Sequence, residues 1–154
     1  MPSWSKFKEN SSNSKGKTVD VIDEIKSDDH KAWYNRGISQ SRQEKYDDAV
    51  NSYDKAIEIK PDYYEAWSNR GKVLSKLGKQ RSSVNSYDKA IEIKPDRYEF
   101  WTGRAWSLYK LKKYKESDEN YDRVLELKPD YQLAKDNQKI VKKKLSKHKT
   151  YSFE

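Results

Sequence analysis

The sequence predicts an all-α fold, a solenoid in which antiparallel helix pairs stack one on the next. Three residue types recur at a fixed interval of 34 residues. They are Trp33, Trp67 and Trp101; Tyr53, Tyr87 and Tyr121; and Pro61, Pro95 and Pro129. A repeat of this length is typical of a stacked array in which each unit contacts only its neighbours. A fold built around one central core is therefore not expected.

The composition agrees with such an array. Hydrophobic residues make up 33% and charged residues 38% of the 154 residues, which on hydrophobicity alone would favour disorder. The 12 tyrosines and 5 tryptophans argue otherwise, because large aromatic side chains can cover a core while counting little on hydropathy scales. An array also needs less core per residue than a spherical domain.

Several classes of protein are excluded by what the sequence lacks. It contains no apolar run that could cross a bilayer or form the core of a signal peptide. It has no cysteine for a disulfide or thiolate metal site, and its two histidines, His30 and His148, lie at opposite ends of the array. We therefore expect a cytoplasmic protein with no cofactor, no metal and no membrane span.

The net charge of +8 is unevenly distributed. The basic excess lies in residues 64–97 and 132–154, whereas the other segments are close to neutral. Because the basic residues are concentrated in two segments, recognition of acidic partners explains them better than a general property of the fold does.

The N-terminal residues precede the first clear repeat. Residues 1–17 lack a periodic apolar pattern, and we expect a disordered tail there. In residues 18–29, the side chains of Val19, Ile22 and Ile25 lie 34 positions before residues that share one helical face of the first repeat. We interpret this segment as a degenerate second helix that caps the array. A structureless linker is the alternative.

Each repeat is predicted to be a pair of helices. The repeats span residues 30–63, 64–97 and 98–131, with helices near 31–42 and 46–59, 64–77 and 80–93, and 98–111 and 114–127. In the second repeat Gly78 ends the first helix, and Pro95 follows the second because proline cannot continue it. Asp62 is the expected N-cap, and Glu65 completes a capping box. The matching pair in the third repeat is Asp96 and Glu99.

Small residues at matching places on the two helices predict close packing within each pair. On the first helices they lie four residues after the tryptophan, and on the second helices they lie opposite. They are Gly37, Gly71 and Ala105, with Ala49, Ser83 and Ser117. The backbones can then approach closely while Trp and Tyr fill the space on either side.

These residues resemble the tetratricopeptide repeat, whose 34-residue pattern is W-x₂-L-G-x₂-Y…A-x₃-F…P. The first copy matches at Trp33, Gly37, Ala49, Tyr53, Ala56 and Pro61; the second at Trp67, Gly71, Leu74, Ser83, Tyr87, Ala90 and Pro95; the third, more loosely, at Trp101, Ala105, Leu108, Ser117, Tyr121, Val124 and Pro129. All three copies have arginine (Arg36, Arg70 and Arg104) where the pattern has leucine. The resemblance implies a right-handed superhelix of three full repeats plus a C-terminal capping helix. Its first helices would line a concave groove that binds another protein.

The pattern changes after the third repeat. Residues 132–149 are predicted to form a basic capping helix, and residues 150–154 a frayed tail. The residues expected on its packing face are Leu133, Asn137, Ile140, Val141 and Leu145. Lysines on the other face would keep the open end of the array soluble.

No motif in the sequence indicates catalysis. There is no glycine-rich phosphate loop, no Gly-x-Ser-x-Gly and no His-Glu-x-x-His. The many acidic residues fit solvated helix surfaces and charge pairing better than acid–base chemistry. We therefore predict an interaction module, such as an adaptor, scaffold or assembly factor, and not an enzyme.

By the resemblance, the groove is lined by first-helix residues that avoid the Trp/Gly packing face. These are Lys31, Tyr34, Asn35, Ile38 and Arg42; Glu65, Ser68, Asn69, Lys72 and Lys76; and Glu99, Thr102, Trp106, Tyr109 and Lys110. The set suits a peptide with acidic and apolar side chains, and Trp106 and Tyr109 are the expected apolar anchors. For each residue the alternative is an ordinary solvated helix surface.

One branch of the family binds the acidic C-terminal tails of heat-shock chaperones. It uses Lys and Asn on one first helix, Asn on the next, and Lys and Arg on the third. The corresponding residues here are Tyr34 and Ile38, then Asn69, then Glu99 and Gly103. Only Asn69 agrees and Glu99 would repel the ligand, so we predict that such tails are not bound.

The lysine-rich C-terminal helix suggests an alternative function, the binding of nucleic acid or another anionic surface. Its lysines are Lys135, Lys139, Lys142, Lys143, Lys144, Lys147 and Lys149. Base stacking is not indicated, because the aromatic residues lie in the repeats and not among these lysines. A solvated capping face is the favoured interpretation.

Overall fold

A computed structural model of the chain describes residues 29–150. It contains seven helices, and no strand occurs in that range. The helices are α1 (His30–Arg42), α2 (Tyr46–Ile59), α3 (Tyr64–Lys76), α4 (Gln80–Ile93), α5 (Tyr98–Lys110), α6 (Tyr114–Leu127) and α7 (Gln132–Thr150). The predicted tail (residues 1–17), the predicted capping segment up to residue 28, and residues 151–154 lie outside the described residues. No described helix is long and apolar enough to span a bilayer.

The helices stack as consecutive pairs. The first helices α1, α3 and α5 pack against the second helices α2, α4 and α6, respectively, and α7 packs against α6. Neighbouring pairs meet where each second helix contacts the next first helix. Successive first helices also contact each other, which places them on the inner, concave side of the stack. The predicted all-α solenoid of helix pairs is confirmed.

Close packing within each pair rests on the predicted small residues. Gly71 lies so near the Tyr87 ring that an added Cβ would approach it to 3.1 Å. The buried Ser83 hydroxyl donates a hydrogen bond to the Gly71 carbonyl at 2.7 Å, and Ser117 does the same to Ala105 at 2.8 Å. Each serine hydroxyl is therefore hydrogen-bonded inside the core. The two backbones can pack closely without leaving a buried donor unpaired.

The predicted capping boxes are wrong. Helix α3 begins after Tyr63 and α5 after Arg97, and neither helix has a side-chain cap. In the loop before α3, the Tyr63 N–H donates to the Lys60 carbonyl at 3.1 Å, which leaves Asp62 one residue too early to cap. A side-chain cap does occur on α1, where the Asp29 carboxylate accepts from the N–H groups of Lys31 and Ala32 at 3.0 and 3.1 Å.

The predicted packing face of α7 is wrong in part. Leu133 and Ile140 are 51% and 47% exposed, whereas the buried residues of this helix are Ala134, Gln138 and Val141. The reason is the position of α7, which packs on α6 as the first helix of a fourth pair would. This placement turns Ala134, Gln138 and Val141 toward α6 and leaves Leu133 and Ile140 exposed.

One side of α7 carries exposed lysines at places where the third pair has packing residues. Lys135 and Lys139 lie 34 residues after Trp101 and Ala105, which pack in the core with Tyr121 and Val124 of α6. Both lysines are exposed. Burying two ammonium groups without partners is strongly unfavourable, so this side of α7 is suited to solvent.

Candidate functional site

The concave surface carries the residues that the sequence predicted for a groove. Those that are exposed are Lys31, Asn35, Arg42, Lys72, Lys76, Trp106 and Lys110. Those that are partly buried are Tyr34, Ile38, Ser68, Asn69, Thr102 and Tyr109. They do not form one continuous site: the structure gathers them into a cavity between α1 and α3 and an aromatic patch on α5.

The cavity between α1 and α3 has a volume of about 350 Å³. Five of the predicted residues line it: Ile38, Arg42, Asn69, Lys72 and Lys76. Arg42, Lys72 and Lys76 give the cavity a basic rim that also includes Glu44, while Ile38 and Val73 form the apolar part of its wall. The sequence did not predict two tyrosines of α2, Tyr46 and Tyr53, which also line the cavity.

Tyr34 and Asn69 are held together on this surface. The Asn69 side-chain amide donates a hydrogen bond to the Tyr34 hydroxyl at 2.9 Å. Burial, and to a lesser extent the Glu65 carboxylate, raise the pKa of Tyr34 above its usual value. The Tyr34 ring also packs against Tyr63 with ring centroids 5.0 Å apart. A ligand that uses the Asn69 amide must compete with this internal hydrogen bond.

The aromatic patch is centred on Trp106. Its side chain is 39% exposed and stacks on Tyr109, with centroids 5.5 Å apart and an interplanar angle of 27°. The Lys110 ammonium lies 4.8 Å from the centroid of the Trp106 ring, a cation–π arrangement. Tyr109 itself is half-buried against the core and lies 5.7 Å from the Tyr114 ring, so it supports Trp106 from beneath.

Helix α7 extends this patch, which the sequence interpretation missed. Ile140 shares a crevice with Trp106 and Tyr109, and with Leu133 it supplies exposed apolar surface. The signal was present in the repeat: Ile140 lies 34 residues after Trp106, at the same place on its helix. A capping helix needs only a packing face, whereas a helix in the place of a fourth first helix also presents Ile140 beside Trp106.

The remaining predicted residues are not brought into either feature. The Ser68 hydroxyl donates to the Glu65 carbonyl at 3.1 Å, and the Thr102 hydroxyl donates to the Tyr98 carbonyl at 2.8 Å. Both hydroxyls therefore satisfy their own helix. Lys31, in the first turn of α1, and Asn35, near its middle, do not line the cavity. In the described part of the chain, no group of His, Cys, Asp and Glu side chains could hold a metal ion.

Family models match most of the helical array. A TPR repeat model matches residues 40–78, and tetratricopeptide repeat models match residues 64–97 and 98–131. Together these matches cover the chain without a break from residue 40 to residue 131. No curated protein sequence matches the chain significantly.

Solved structures with the same architecture support this assignment of the fold. The first TPR of Spaghetti (RPAP3), bound to an HSP90 peptide, is 23% identical with a TM-score of 0.75, and the match covers 79% of this chain and 97% of that one. The second TPR domain of human RPAP3, in complex with an HSP70 peptide, is 21% identical with a TM-score of 0.70, covering 71% and 92%. The Sgt2 TPR domain from Aspergillus fumigatus is 19% identical with a TM-score of 0.73, covering 79% and 82%.

Proposed function

The chain belongs to the tetratricopeptide repeat family, and from this premise we propose that it binds a peptide segment of another protein on the concave surface of its first helices. It would act as an adaptor, scaffold or assembly factor in the cytoplasm, without chemistry of its own. Two structures similar in fold hold peptides, which supports a peptide as the ligand. The cavity and the aromatic patch lie on the surface to which this proposal assigns binding.

The exposed Trp106 is the observation that carries the proposal. A tryptophan that is 39% exposed presents apolar area that water solvates poorly, yet Tyr109 and Lys110 hold it in a fixed orientation. Rigid aromatic side chains in apolar surroundings are the residues that dominate binding energy at protein interfaces. Ile140, at 47% exposure, adds a second exposed apolar side chain beside Trp106.

The charge around this patch restricts the ligand. Lys110 lies directly over Trp106, and Lys72 and Lys76 stand on the neighbouring first helix. A ligand with acidic side chains beside its apolar ones would gain on-rate and specificity from these cations. This agrees with the preference for acidic and apolar side chains that the sequence predicts.

A display selection tests the proposal. A random peptide library would be selected on the full chain, and the affinities of the recovered peptides measured for Trp106→Ala. We expect a loss of about thirtyfold, equivalent to about 2 kcal/mol, because the anchor is removed. Tyr109 is left intact, since it packs against the core.

Ile93→Ala is the matched control. Ile93 is also an exposed large apolar residue, at 36%, but it lies at the end of α4, a second helix. Peptides should bind this variant as they bind the original chain. Equal binding to the original chain, Trp106→Ala and Ile93→Ala would reject the concave patch as the binding surface, and recovery of no peptide at all would reject peptide binding.

A further inference from the structure

One exposed cation recurs at the same place on every first helix and on α7. These cations are Arg42, Lys76, Lys110 and Lys144, each 34 residues after the one before, and we refer to them as the cation row. All four are exposed. No ion pair formed within residues 29–150 uses any of them, although lysines elsewhere in the array pair with nearby carboxylates.

The cation row lies beside the two features of the concave surface. Arg42 and Lys76 line the cavity together with Lys72, so three cations and one carboxylate, that of Glu44, line a space of about 350 Å³ with a net positive charge. The Lys110 ammonium lies over the Trp106 ring at 4.8 Å from its centroid. Lys144 follows Ile140 by one helical turn, just as Lys110 follows Trp106.

Helix ends alone do not explain the row. Cations stabilise the last turn of a helix through the helix dipole, and Arg42, Lys76 and Lys110 are placed to do so. Helix α7, however, continues to Thr150, so Lys144 lies more than one turn before its end. The helix dipole therefore does not account for Lys144, which lies in the run of lysines 142–144 and keeps the spacing of the row.

We propose that the cation row binds an acidic segment of a partner protein in a polyproline II conformation, with one carboxylate at every third residue. This inference rests on the proposed function and names its ligand chemistry. Helices in contact have axes about 8–10 Å apart. A polyproline II segment advances about 9.3 Å in three residues, and because it has three residues per turn, every third side chain returns to the same side. Its carboxylates would therefore meet one cation per helix.

The same conformation accounts for the apolar residues next to the row. A polyproline II segment presents three faces, so the face beside the carboxylates could carry leucine or proline side chains toward Trp106 and Ile140. A β-strand places successive residues on opposite faces and would turn every other such carboxylate away from the cations. Two of the four row cations lie over aromatic rings, Lys76 over Tyr46 at 5.3 Å and Lys110 over Trp106 at 4.8 Å. Single-stranded nucleic acid, which uses aromatic platforms along its path, is therefore the rival ligand that the displacement test below separates from an acidic peptide.

Fluorescence anisotropy with synthetic peptides tests the ligand. The probe is a labelled peptide of four Glu-Pro-Leu units, and the control peptide has the same composition with its glutamates clustered at one end. The full chain should bind the periodic peptide at least about fivefold more tightly at low salt, and the difference should shrink as salt screens the charges. Equal binding of the two peptides would overturn the periodic match.

Two charge variants with the same net charge test the surface. The row variant carries Arg42, Lys76, Lys110 and Lys144 changed to Gln; the control variant carries Lys115, Lys135, Lys139 and Lys142 changed to Gln. At about two- to fivefold per exposed charge, the row variant should lose more than about tenfold in affinity and the control variant less than about threefold. Equal losses would overturn the assignment, as would a single-stranded oligonucleotide that displaces the peptide from the original chain at lower concentration than unlabelled peptide does.

The display selection separates this inference from the proposed function. If the selected peptides depend on Trp106 but show no enrichment of acidic residues at every third position, peptide binding stands and the cation row is not its determinant. If no peptide is selected and the periodic peptide also fails to bind, both are rejected.

Discussion

In the loop between the two helices of each pair, one position has a left-handed backbone conformation, and a different residue occupies it in each copy. Glu44, Gly78 and Lys112 occupy the same place, and all three have positive φ angles, of 60°, 75° and 61°. Glycine adopts this left-handed conformation at no steric expense, whereas a side chain costs roughly 1 kcal/mol. Only the second copy has the residue that the conformation favours.

Lys112→Gly should therefore stabilise the protein, by about 0.5–1 kcal/mol, because it relieves the left-handed strain. The free energy of unfolding from urea denaturation, followed by circular dichroism, measures the gain. Gly78→Lys is the reciprocal control: no atom lies within 4 Å of an added Cβ there, so a loss of similar size would arise from the backbone alone. A destabilised Lys112→Gly would contradict this account.

Among the helices, polar side chains join each pair to the next. Arg104 of α5 donates from Nε to Asp88 of α4 at 2.6 Å and from Nη1 to Asn120 of α6 at 3.0 Å. In the preceding pair, Arg70 donates from Nε to Asp54 of α2 and from Nη1 to the Ser86 hydroxyl of α4. In α7, Gln138 takes this place and donates to Asp122 at 2.6 Å. The leucine of the family pattern is thus replaced by a side chain that reaches two neighbouring helices.

Arg104→Leu should destabilise the array by about 1–2 kcal/mol, although leucine is the residue of the family pattern. The reason is Asn120, which is only 6% exposed and would lose the donor to its side-chain oxygen. Asp88→Ala should cost less than about 1 kcal/mol, because the Asp88 side chain is 47% exposed and water can replace the ion pair at Arg104. Urea denaturation of both variants gives the comparison, and a larger loss for Asp88→Ala would show that the ion pair dominates.

Helix positions were predictable because a proline follows the second helix of every copy and, in the second copy, Gly78 follows the first helix. The ends of α4, for example, follow from Gly78 and Pro95 through local backbone chemistry. The capping boxes were not predictable, since they depend on whether a loop closes one residue earlier or later.

The prediction of the packing face of α7 was wrong in part for another reason. Ala134 and Val141 share the helix with Leu133 and Ile140, and only the contact with α6 decides which of these two apolar sets is buried.

Over the whole molecule, the candidate site was predictable as a surface but not as a set of contacts. The repeat assigns Lys72, Trp106 and Lys110 to the first helices, and the structure has them exposed there. It does not reveal that Asn69 is already bonded to Tyr34, because that contact joins two copies. Positions at which the three repeats differ in sequence suggest where a ligand binds. Contacts between neighbouring repeats determine which of those side chains are free to contact it.

The contacts between copies also bear on the acidic tails of heat-shock chaperones. The position of the last clamp residue is Gly103, where an added Cβ would lie 2.2 Å from Cζ of Tyr87. No arginine can stand there unless Tyr87 moves. Glu99 places a carboxylate where the family has lysine, and Asn69, the one residue that agrees, donates its amide to Tyr34. Packing at Gly103 and charge at Glu99 both favour the prediction that such tails are not bound.

Isothermal titration calorimetry with the HSP90 peptide SRMEEVD, which the first TPR of Spaghetti (RPAP3) holds, tests this conclusion. We expect no saturable binding to this chain tighter than about 1 mM, which corresponds to about 4 kcal/mol. The two glutamates of the peptide are adjacent, so they also fail to match the spacing of the cation row. Glu99→Lys restores one clamp cation but leaves Gly103 under Tyr87, and it should gain no more than about 1 kcal/mol. The RPAP3 domain serves as the positive control, and micromolar binding to the unmodified chain would show that other residues replace the clamp.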